Sequence, residues 1–192
     1  MASKPGERKL QILQTVAGML EQPKGEKVTT AALAARLDLS EAALYRHFAS
    51  KAQMFEGLIE FIEQTVFGLI NKITQEEKSG IRQVEAIMSM LLGFAQKNRG
   101  MTRVLIGDAL VNEDERLQQR INQLLDRIEA TLKQSLRMAA TQGEMGAATD
   151  VGAYANLLVC LVIGRWTQFA KSGFSREPMT QWAAQSAILL RK

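Results

Sequence analysis

The chain has 192 residues, 46% of them hydrophobic, with one cysteine and a formal net charge of +4. This composition can fill the core of a folded domain, and it argues against a disordered chain or an intrachain disulfide framework. The N-terminus lacks the apolar segment of a signal peptide, and the longest apolar run, 153–164, is shorter than the roughly 20 residues that span a bilayer, so we expect a cytoplasmic protein.

The spacing of apolar residues predicts an all-α protein of about nine helices. Only three prolines interrupt the chain, and no stretch alternates apolar and polar residues as several strands would. In chain order, the predicted helices cover 7–21, 30–37, 41–48, 51–75, 81–98, 101–111, 113–138, 150–172 and 178–191. We expect two domains: an N-terminal three-helix DNA-binding domain, 1–51, on a larger helical dimerisation and partner-binding domain, 52–192.

Positive charge is concentrated at the N-terminal end. Residues 1–51 hold eight basic and five acidic side chains, whereas the other 141 residues carry a net charge of only +1. A solvated surface can show such a bias without a function, and a surface that binds a polyanion is the sharper interpretation.

Residues 29–48, TTAALAARLDLSEAALYRHF, have the layout of a helix-turn-helix. Thr29 or Thr30 can cap a first short helix, and Ser40 can cap a second one that would enter the major groove of DNA. At about 100° per residue, the second helix buries Leu44 together with Phe48.

The exposed side of this second helix suits a DNA groove. Ala42 and Ala43 leave its tip bare, so that the backbone can approach base edges, and Arg46 could donate to guanine. Tyr45 and His47 flank the buried face and can bond phosphate oxygens, and Lys51 follows at the start of the next helix. The alternative is that an alanine-rich amphipathic helix simply packs in a core. The predicted DNA-binding residues are Thr29, Thr30, Ser40, Ala42, Ala43, Tyr45, Arg46, His47 and Lys51.

Asp38 occupies the turn, where most helix-turn-helix proteins have glycine. Aspartate tolerates the left-handed backbone conformation at some cost. It also places a negative charge near the DNA, so we expect affinity below that of proteins with glycine there.

The helix-turn-helix with LYRHF and SK, followed by a long helix and about six more, resembles the TetR family of dimeric DNA-binding regulators. Three blocks resemble the nucleoid occlusion factors of that family, namely TTAALAARLDLSEAALYRHFASKAQMFEGLIEFIE, LLGFAQKNRGMTRVLIGDAL and ERLQQRINQLLDRIEATLKQ. The resemblance implies a homodimer that binds palindromic chromosomal DNA, antagonises polymers of the division GTPase FtsZ, and stays with the nucleoid. It also implies that Thr29, Ala42, Ala43, Tyr45, His47 and Lys51 face the DNA.

By the same resemblance, the tail of FtsZ would bind a groove between the fourth and fifth helices. The predicted partner-binding residues are Phe61, Leu69, Met90, Gly93, Lys97 and Asn98. Phe61 lies roughly 110° from the centre of the apolar stripe of its helix and could anchor a peptide, while Gly93 would leave a shallow place and Lys97 could pair with a carboxylate. Alternatively, Phe61 packs beneath the DNA-binding module and Gly93 permits close helix packing.

Several positions depart from the pattern of these relatives. Ala49 stands where proline is usual, and Arg99 lies where the usual sequence is NPG. Leu69 replaces a basic side chain, which should weaken contact with an acidic tail. We therefore expect either that recognition of the target has shifted or that it rests more on Lys97 and Lys72. The segment GDALVNE, which includes Asp108, also differs.

No constellation for catalysis, a cofactor or a metal is evident, so an enzyme is not expected. One histidine and one cysteine cannot make a metal site, and Cys160 is expected to be a buried thiol.

The apolar helix at 153–164 and the last helix, with Trp166, Trp182 and Leu189, are candidates for dimerisation through a four-helix bundle, or else form a helix buried within one chain. The alternative function is a TetR-type ligand-responsive repressor, which would have a closed pocket within residues 80–170.

Overall fold

The computed structural model describes residues 5–22, 28–146 and 148–190. Within these ranges all regular structure is helical, which confirms the all-α prediction. The helices are α1 (Pro5–Leu20), α2 (Thr30–Arg36), α3 (Glu41–Tyr45), α4 (Lys51–Glu76), α5 (Gly80–Lys97), α6 (Arg99–Leu105), α7 (Glu115–Thr141), α8 (Val151–Lys171) and α9 (Trp182–Leu189), with one 3-10 turn at Asp108–Leu110.

The chain forms two compact units. The first contains Met1–Ile62 and Asn98–Ile121, and the second contains Glu63–Lys97 and Asn122–Lys192. Both α4 and α7 therefore contribute residues to each unit. The functional boundary after residue 51 stays a prediction.

In the first unit, α1 and α6 approach each other closely because α6 carries Gly100 at the contact. A Cβ atom at Gly100 would lie 1.9 Å from the carbonyl oxygen of Ala17 on α1. Only glycine allows the two helix backbones to come this close. The apolar core of the unit includes Ile12, Val16, Leu33 and Leu44, all fully buried.

In the second unit, α5 packs against α8 around a buried tryptophan. Trp166 is fully buried, and its indole nitrogen donates to the carbonyl of Leu91 at 3.1 Å. Gly80, at the start of α5, lies against α7, where an added Cβ would approach Ala139 N to 2.2 Å. The unit thus combines a large apolar anchor with one close helix contact.

A buried network of hydrogen bonds caps the C-terminal end of α4 in the second unit. Gln83 donates from Nε2 to the carbonyls of Thr74 and Glu77 at 3.1 and 2.8 Å. Its own Oε1 accepts from the hydroxyl of Ser135 at 2.8 Å. Because the last carbonyls of a helix have no partner within the helix, this amide supplies one and stabilises the α4–α5 connection.

The last helix begins later than the sequence predicts. Pro178 was expected in its first turn, but residues 178–181 form turns and α9 begins at Trp182. Gln181 has a left-handed backbone with φ of 63°, which interrupts a helical path. Trp182 donates to the hydroxyl of Ser89 at 2.6 Å, so packing within the second unit sets the start of the helix.

Two residues of the apolar stripe predicted for α4 are not fully buried. The predicted stripe consists of Phe55, Leu58, Ile59, Ile62, Val66, Leu69, Ile70 and Ile73. Leu69 is 41% exposed and Ile73 is half-buried, whereas the other six are buried as expected. Leu69 lies within about 20° of the fully buried Leu58 around the helix axis, so its exposure reflects what packs against this part of α4 rather than its angular position.

Candidate nucleic-acid interface

The caps predicted for the two short helices are present. Thr29 has an extended backbone and accepts at its hydroxyl from Ala32 N at 3.1 Å, which makes it the N-cap of α2. Ser40 likewise accepts from Ala43 N at 3.2 Å and caps α3. Each cap satisfies a backbone donor that the helix itself cannot, so the positions of both helices follow from local sequence.

Asp38 adopts the left-handed conformation expected of the turn, with φ of 53°. The amides of Asp38 and Leu39 donate back to Ala35 and Ala34 at 3.2 and 2.9 Å. This pair of bonds is the Schellman arrangement that ends many helices, usually with glycine in the left-handed position. Asp38 is also exposed, so its charge lies on the surface of the helix-turn-helix.

Replacement of Asp38 by glycine is expected to stabilise the protein and to tighten DNA binding. Glycine relieves a left-handed strain of about 1 kcal/mol, partly offset by the greater freedom of the unfolded chain. Loss of the negative charge should strengthen binding to any DNA by about threefold at low salt. Asp38→Asn is the matched control, because it removes the charge and keeps a side chain. Chemical denaturation and fluorescence anisotropy test both effects. If Asp38→Asn stabilises as much as glycine does, the strain argument is wrong.

The second helix of the motif presents the predicted faces, although its regular part is shorter than predicted. α3 ends at Tyr45 rather than at residue 48, but the amide of Phe48 still donates to Leu44 O at 3.1 Å. Leu44 and Phe48 are therefore buried together. The backbone leaves the regular helix because His47 N already bonds Leu44 O at 2.9 Å, the tighter spacing of a turn.

The predicted groove-facing side chains reach solvent to different degrees. Ala42, Tyr45 and Arg46 are exposed, whereas Ala43 and His47 are half-buried. Tyr45 is 46% exposed, so its side chain is accessible to the phosphate backbone that borders a DNA groove. These positions carry the predicted combination of a bare tip and flanking polar groups, and their contact with DNA stays a prediction.

Thr30 is engaged inside the motif. Its hydroxyl lies 2.6 Å from Glu41 Oε2 and donates to it, which ties the first turn of α2 to the first turn of α3. Glu41 also lies at the positive end of α3, where a carboxylate is favourable. The sequence predicted Thr30 as a DNA contact, and the structure gives its hydroxyl a role in holding the two helices.

Lys51 begins α4 and is held by an acidic side chain from a later part of the first unit. Its ammonium donates to Glu113 Oε1, and it lies 5.6 Å from the centre of the Phe55 ring. Nothing local in the sequence indicates this pairing, because the two residues are 62 positions apart. Glu113 is the functional candidate that sequence reasoning did not find.

The start of α4 has two capping hydrogen bonds. The hydroxyl of Ser50 accepts from Gln53 N at 3.1 Å, and the side chain of Gln53 accepts from Ala49 N at 2.8 Å. Proline, which the resemblance predicts at position 49, has no amide hydrogen to donate. Alanine therefore allows a second capping bond here.

Most of the predicted partner-binding residues lie in the second unit. Leu69 and Lys97 are exposed, and Met90 is half-buried. Apart from the neighbouring residues and backbone of its own helix, no described atom lies within 4 Å of a Cβ built at Gly93. The alternative in which Gly93 permits close helix packing is therefore not supported by the described part of the chain. Phe61 and Asn98, both half-buried, belong to the first unit, and the grouping of all six residues stays a prediction.

The departing positions Leu69 and Asp108 have different surroundings. Leu69 lies on an exposed part of α4 near Lys72, which is 4.0 Å from Glu76. Asp108 accepts from Arg103 Nη1 at 3.1 Å in the first unit. The segment that contains Asp108 thus has an internal structural partner.

An apolar face of the C-terminal helices is exposed in the single chain. On α8 it consists of Ala153, Leu157, Cys160 and Gly164, spaced by three or four residues, and on α9 Ile188 is 72% exposed. The prediction of a buried Cys160 is wrong, because the thiol points along this face rather than toward the core. Trp166 and Trp182, expected near a dimer contact, are buried within the second unit.

The described residues offer little to a metal, and their cavities are modest. No group of three histidine, cysteine or carboxylate side chains is placed to hold an ion within the described ranges. A cavity of about 290 Å³ in the first unit includes Lys51, Phe55, Arg103 and Glu113 in its lining. A groove of about 480 Å³ in the second unit is lined by Thr74, Gln83, Ala130, Thr131, Gln134, Ser135 and Met138. No helix among the described residues is both long and apolar enough to span a membrane.

Two protein families match the chain. Residues 25–58 match the family described as bacterial regulatory proteins, tetR family, which includes the helix-turn-helix. Residues 78–192 match the family described as SlmA-like, a tetracyclin repressor-like C-terminal domain. Together the two matches cover residues 25–58 and 78–192.

Curated relatives are similar over nearly the whole chain. A nucleoid occlusion factor SlmA from Alteromonas mediterranea is 50% identical over 97% of this chain and 95% of its own length. Proteins of the same name from Marinomonas sp. and Idiomarina loihiensis are 48% and 47% identical, each over 98% of this chain and 96% of the relative.

Solved structures share the fold at much lower identity. A TetR transcription regulator from Haloarcula marismortui has a TM-score of 0.80 at 16% identity, covering 97% of this chain and 100% of that one. The fatty acid degradation regulator FadR from Bacillus halodurans has a TM-score of 0.79 at 13% identity, covering 99% and 97%. These likenesses bear on the fold alone.

Proposed function

This chain belongs to the SlmA family of nucleoid occlusion factors, a branch of the TetR regulators, and we propose that it blocks division by antagonising FtsZ polymers while bound to palindromic chromosomal DNA as a dimer. The observation that carries the proposal is 50% identity to a nucleoid occlusion factor over 97% of the chain. Nucleoid association follows from binding chromosomal DNA.

DNA binding uses the helix-turn-helix, and the proposal assigns its parts. The bare tip at Ala42 and Ala43 approaches base edges, and Arg46 reads a base. Exposed Tyr45 supports a phosphate contact beside it, as does the position of Lys51 at the start of α4. Thr29 and Ser40 hold the two helices through their caps, so their replacement would weaken DNA binding indirectly.

The dimer forms through α8 and α9 in this proposal. The exposed stripe with Leu157 and Cys160 supports it, because contiguous apolar faces on soluble proteins commonly mark interfaces. An interface with two-fold symmetry would place two recognition helices about one DNA turn apart, roughly 34 Å. A palindromic site then matches the symmetry of the protein.

The FtsZ tail binds the exposed residues of α4 and α5. Gly93 leaves open space above its helix, and the exposed ammonium of Lys97 suits an acidic peptide. Leu69 is 41% exposed and offers the tail an apolar contact, while the positive charge is left to Lys97 and Lys72. Half-buried Met90 belongs to the same part of the second unit, and Phe61 and Asn98 of the first unit stay predicted contacts of the tail.

The alternative function, a ligand-responsive repressor, is less favoured. Its mark would be a closed pocket within residues 80–170, and the largest cavity described above in the second unit is a groove lined mainly by hydroxyl, amide and small side chains. The curated relatives that cover nearly the whole chain carry the name of the occlusion factors.

Light scattering of GTP-assembled FtsZ tests the proposal. The protein is added alone, with the palindromic DNA that it selects from a random pool, and with scrambled DNA of equal length. We expect polymer loss to be much greater with the selected DNA than with either control. Unchanged polymer despite tight DNA binding would contradict the proposed action on FtsZ and leave the repressor as the better interpretation.

A further inference from the structure

The pair between Lys51 and Glu113 is largely shielded from solvent. The lysine side chain is 25% exposed and the glutamate side chain 17% exposed. Phe55 lies against the ammonium on another side, at 5.6 Å from ring centre to Nζ. Water and salt weaken a shielded pair less than an exposed one, so we expect this contact to compete with an approaching phosphate.

We infer that Glu113 competes with DNA phosphate for Lys51 and thereby lowers the affinity of the protein for DNA of any sequence. The inference rests on the proposed function, in which Lys51 contacts the DNA backbone. Glu113 is a positioning residue here, because it acts on DNA through Lys51.

The direction of the effect follows from the charges. Two outcomes are possible when a phosphate approaches Lys51. If the ammonium leaves Glu113 for the phosphate, the carboxylate of Glu113 loses its partner in a place with little water. If the pair stays intact, the negative charge of Glu113 lies beside that of the phosphate. Each course costs free energy that a neutral residue at 113 would not cost. Glu113 also cancels the charge of Lys51, so fewer counterions are released from DNA on binding.

The neighbouring acid provides a matched control. Asp114 pairs with Arg116, with oxygen and Nη2 2.6 Å apart, and this contact lowers the pKa of Asp114 to about 2. It therefore carries the same charge as Glu113, one residue away, without binding Lys51. The backbone at Glu113 is held independently, since its amide donates to Leu110 O at 3.0 Å, so Glu113→Gln should keep the local fold.

The test measures dissociation constants of the full chain for its selected palindrome and for random duplex, across a salt series. Glu113→Gln is expected to bind both DNAs about three- to tenfold more tightly at low salt, with a log–log salt slope steeper by about one unit. Asp114→Asn should change affinity less than about twofold. In the Lys51→Ala background, Glu113→Gln should lose its gain.

Opposite results would overturn the inference. Unchanged or weaker binding by Glu113→Gln, in a protein that melts like wild type, would mean that Glu113 orients Lys51 for DNA or is unrelated to it. One contrary result is that Asp114→Asn raises the affinity for DNA as much as Glu113→Gln does, and another is that Glu113→Gln keeps its gain in the Lys51→Ala background. Either result would mean that the effect comes from the overall charge of the protein and not from the pair with Lys51. If the glutamine side chain of Glu113→Gln disturbs the turn, Glu113→Ala serves instead and is expected to tighten DNA binding in the same way. A wild-type protein that binds no DNA would overturn the proposed function itself.

Discussion

Replacement of Gly100 by alanine is expected to destabilise the protein by about 3 kcal/mol or more. The new Cβ would lie 1.9 Å from the carbonyl oxygen of Ala17 and 3.2 Å from Leu20 Cβ. The first of these is a backbone atom, which cannot rotate away as a side chain can, so α1 and α6 must separate. For a chain of this length the melting temperature should fall by about 10 °C.

The same substitution should also weaken DNA binding, because α1 contacts α2 of the helix-turn-helix within the first unit. Calorimetry measures the stability, and anisotropy at a temperature where the variant is folded measures the affinity. Gly68→Ala is the matched control, because Gly68 lies within α4 and no described atom outside the adjoining stretch of that helix lies within 4 Å of its Cβ position. There alanine should stabilise the helix by about 0.5–1 kcal/mol. A Gly100→Ala variant as stable as wild type would contradict the close approach of α1 and α6.

Features encoded by neighbouring residues were predictable from the sequence. The caps at Thr29 and Ser40 and the left-handed turn at Asp38 all depend on hydrogen bonds within a few residues. The helix-turn-helix therefore follows from local chemistry. The buried pair Leu44 and Phe48 follows from helical spacing alone, even though α3 ends at Tyr45.

Features that depend on distant residues were not predictable. Glu113 meets Lys51 across 62 positions, and the start of α9 depends on a bond from Trp182 to Ser89, 93 positions away. The prediction that Cys160 is buried was wrong for a different reason. An apolar helix was expected to bury its thiol, yet an apolar face exposed in one chain is what a contact between two chains would require.

Among functional substitutions, Gly93→Glu should have the largest effect on FtsZ while leaving DNA binding intact. Because no described atom outside the adjoining stretch of α5 lies within 4 Å of the Cβ position, a side chain fits without distorting α5, and the protein should melt within a few degrees of wild type. A carboxylate there would fill the open space and repel an acidic tail beside Lys97. We expect on the order of a tenfold increase in the concentration that halves the polymer signal.

Gly93→Ala is the control that separates the bulk and charge of the glutamate side chain from the loss of glycine in the backbone. Alanine raises helix propensity but leaves the open space nearly unfilled, so this variant should act on FtsZ like wild type. Phe61→Asp probes the proposed surface from α4 and should also keep DNA binding while losing the effect on polymers. Light scattering with the selected palindrome, paired with anisotropy on the same DNA, gives both readouts. If Gly93→Glu and Phe61→Asp still disassemble polymers at wild-type concentrations, FtsZ binds elsewhere on the chain, because two independent obstacles on α4 and α5 would then have left the contact untouched.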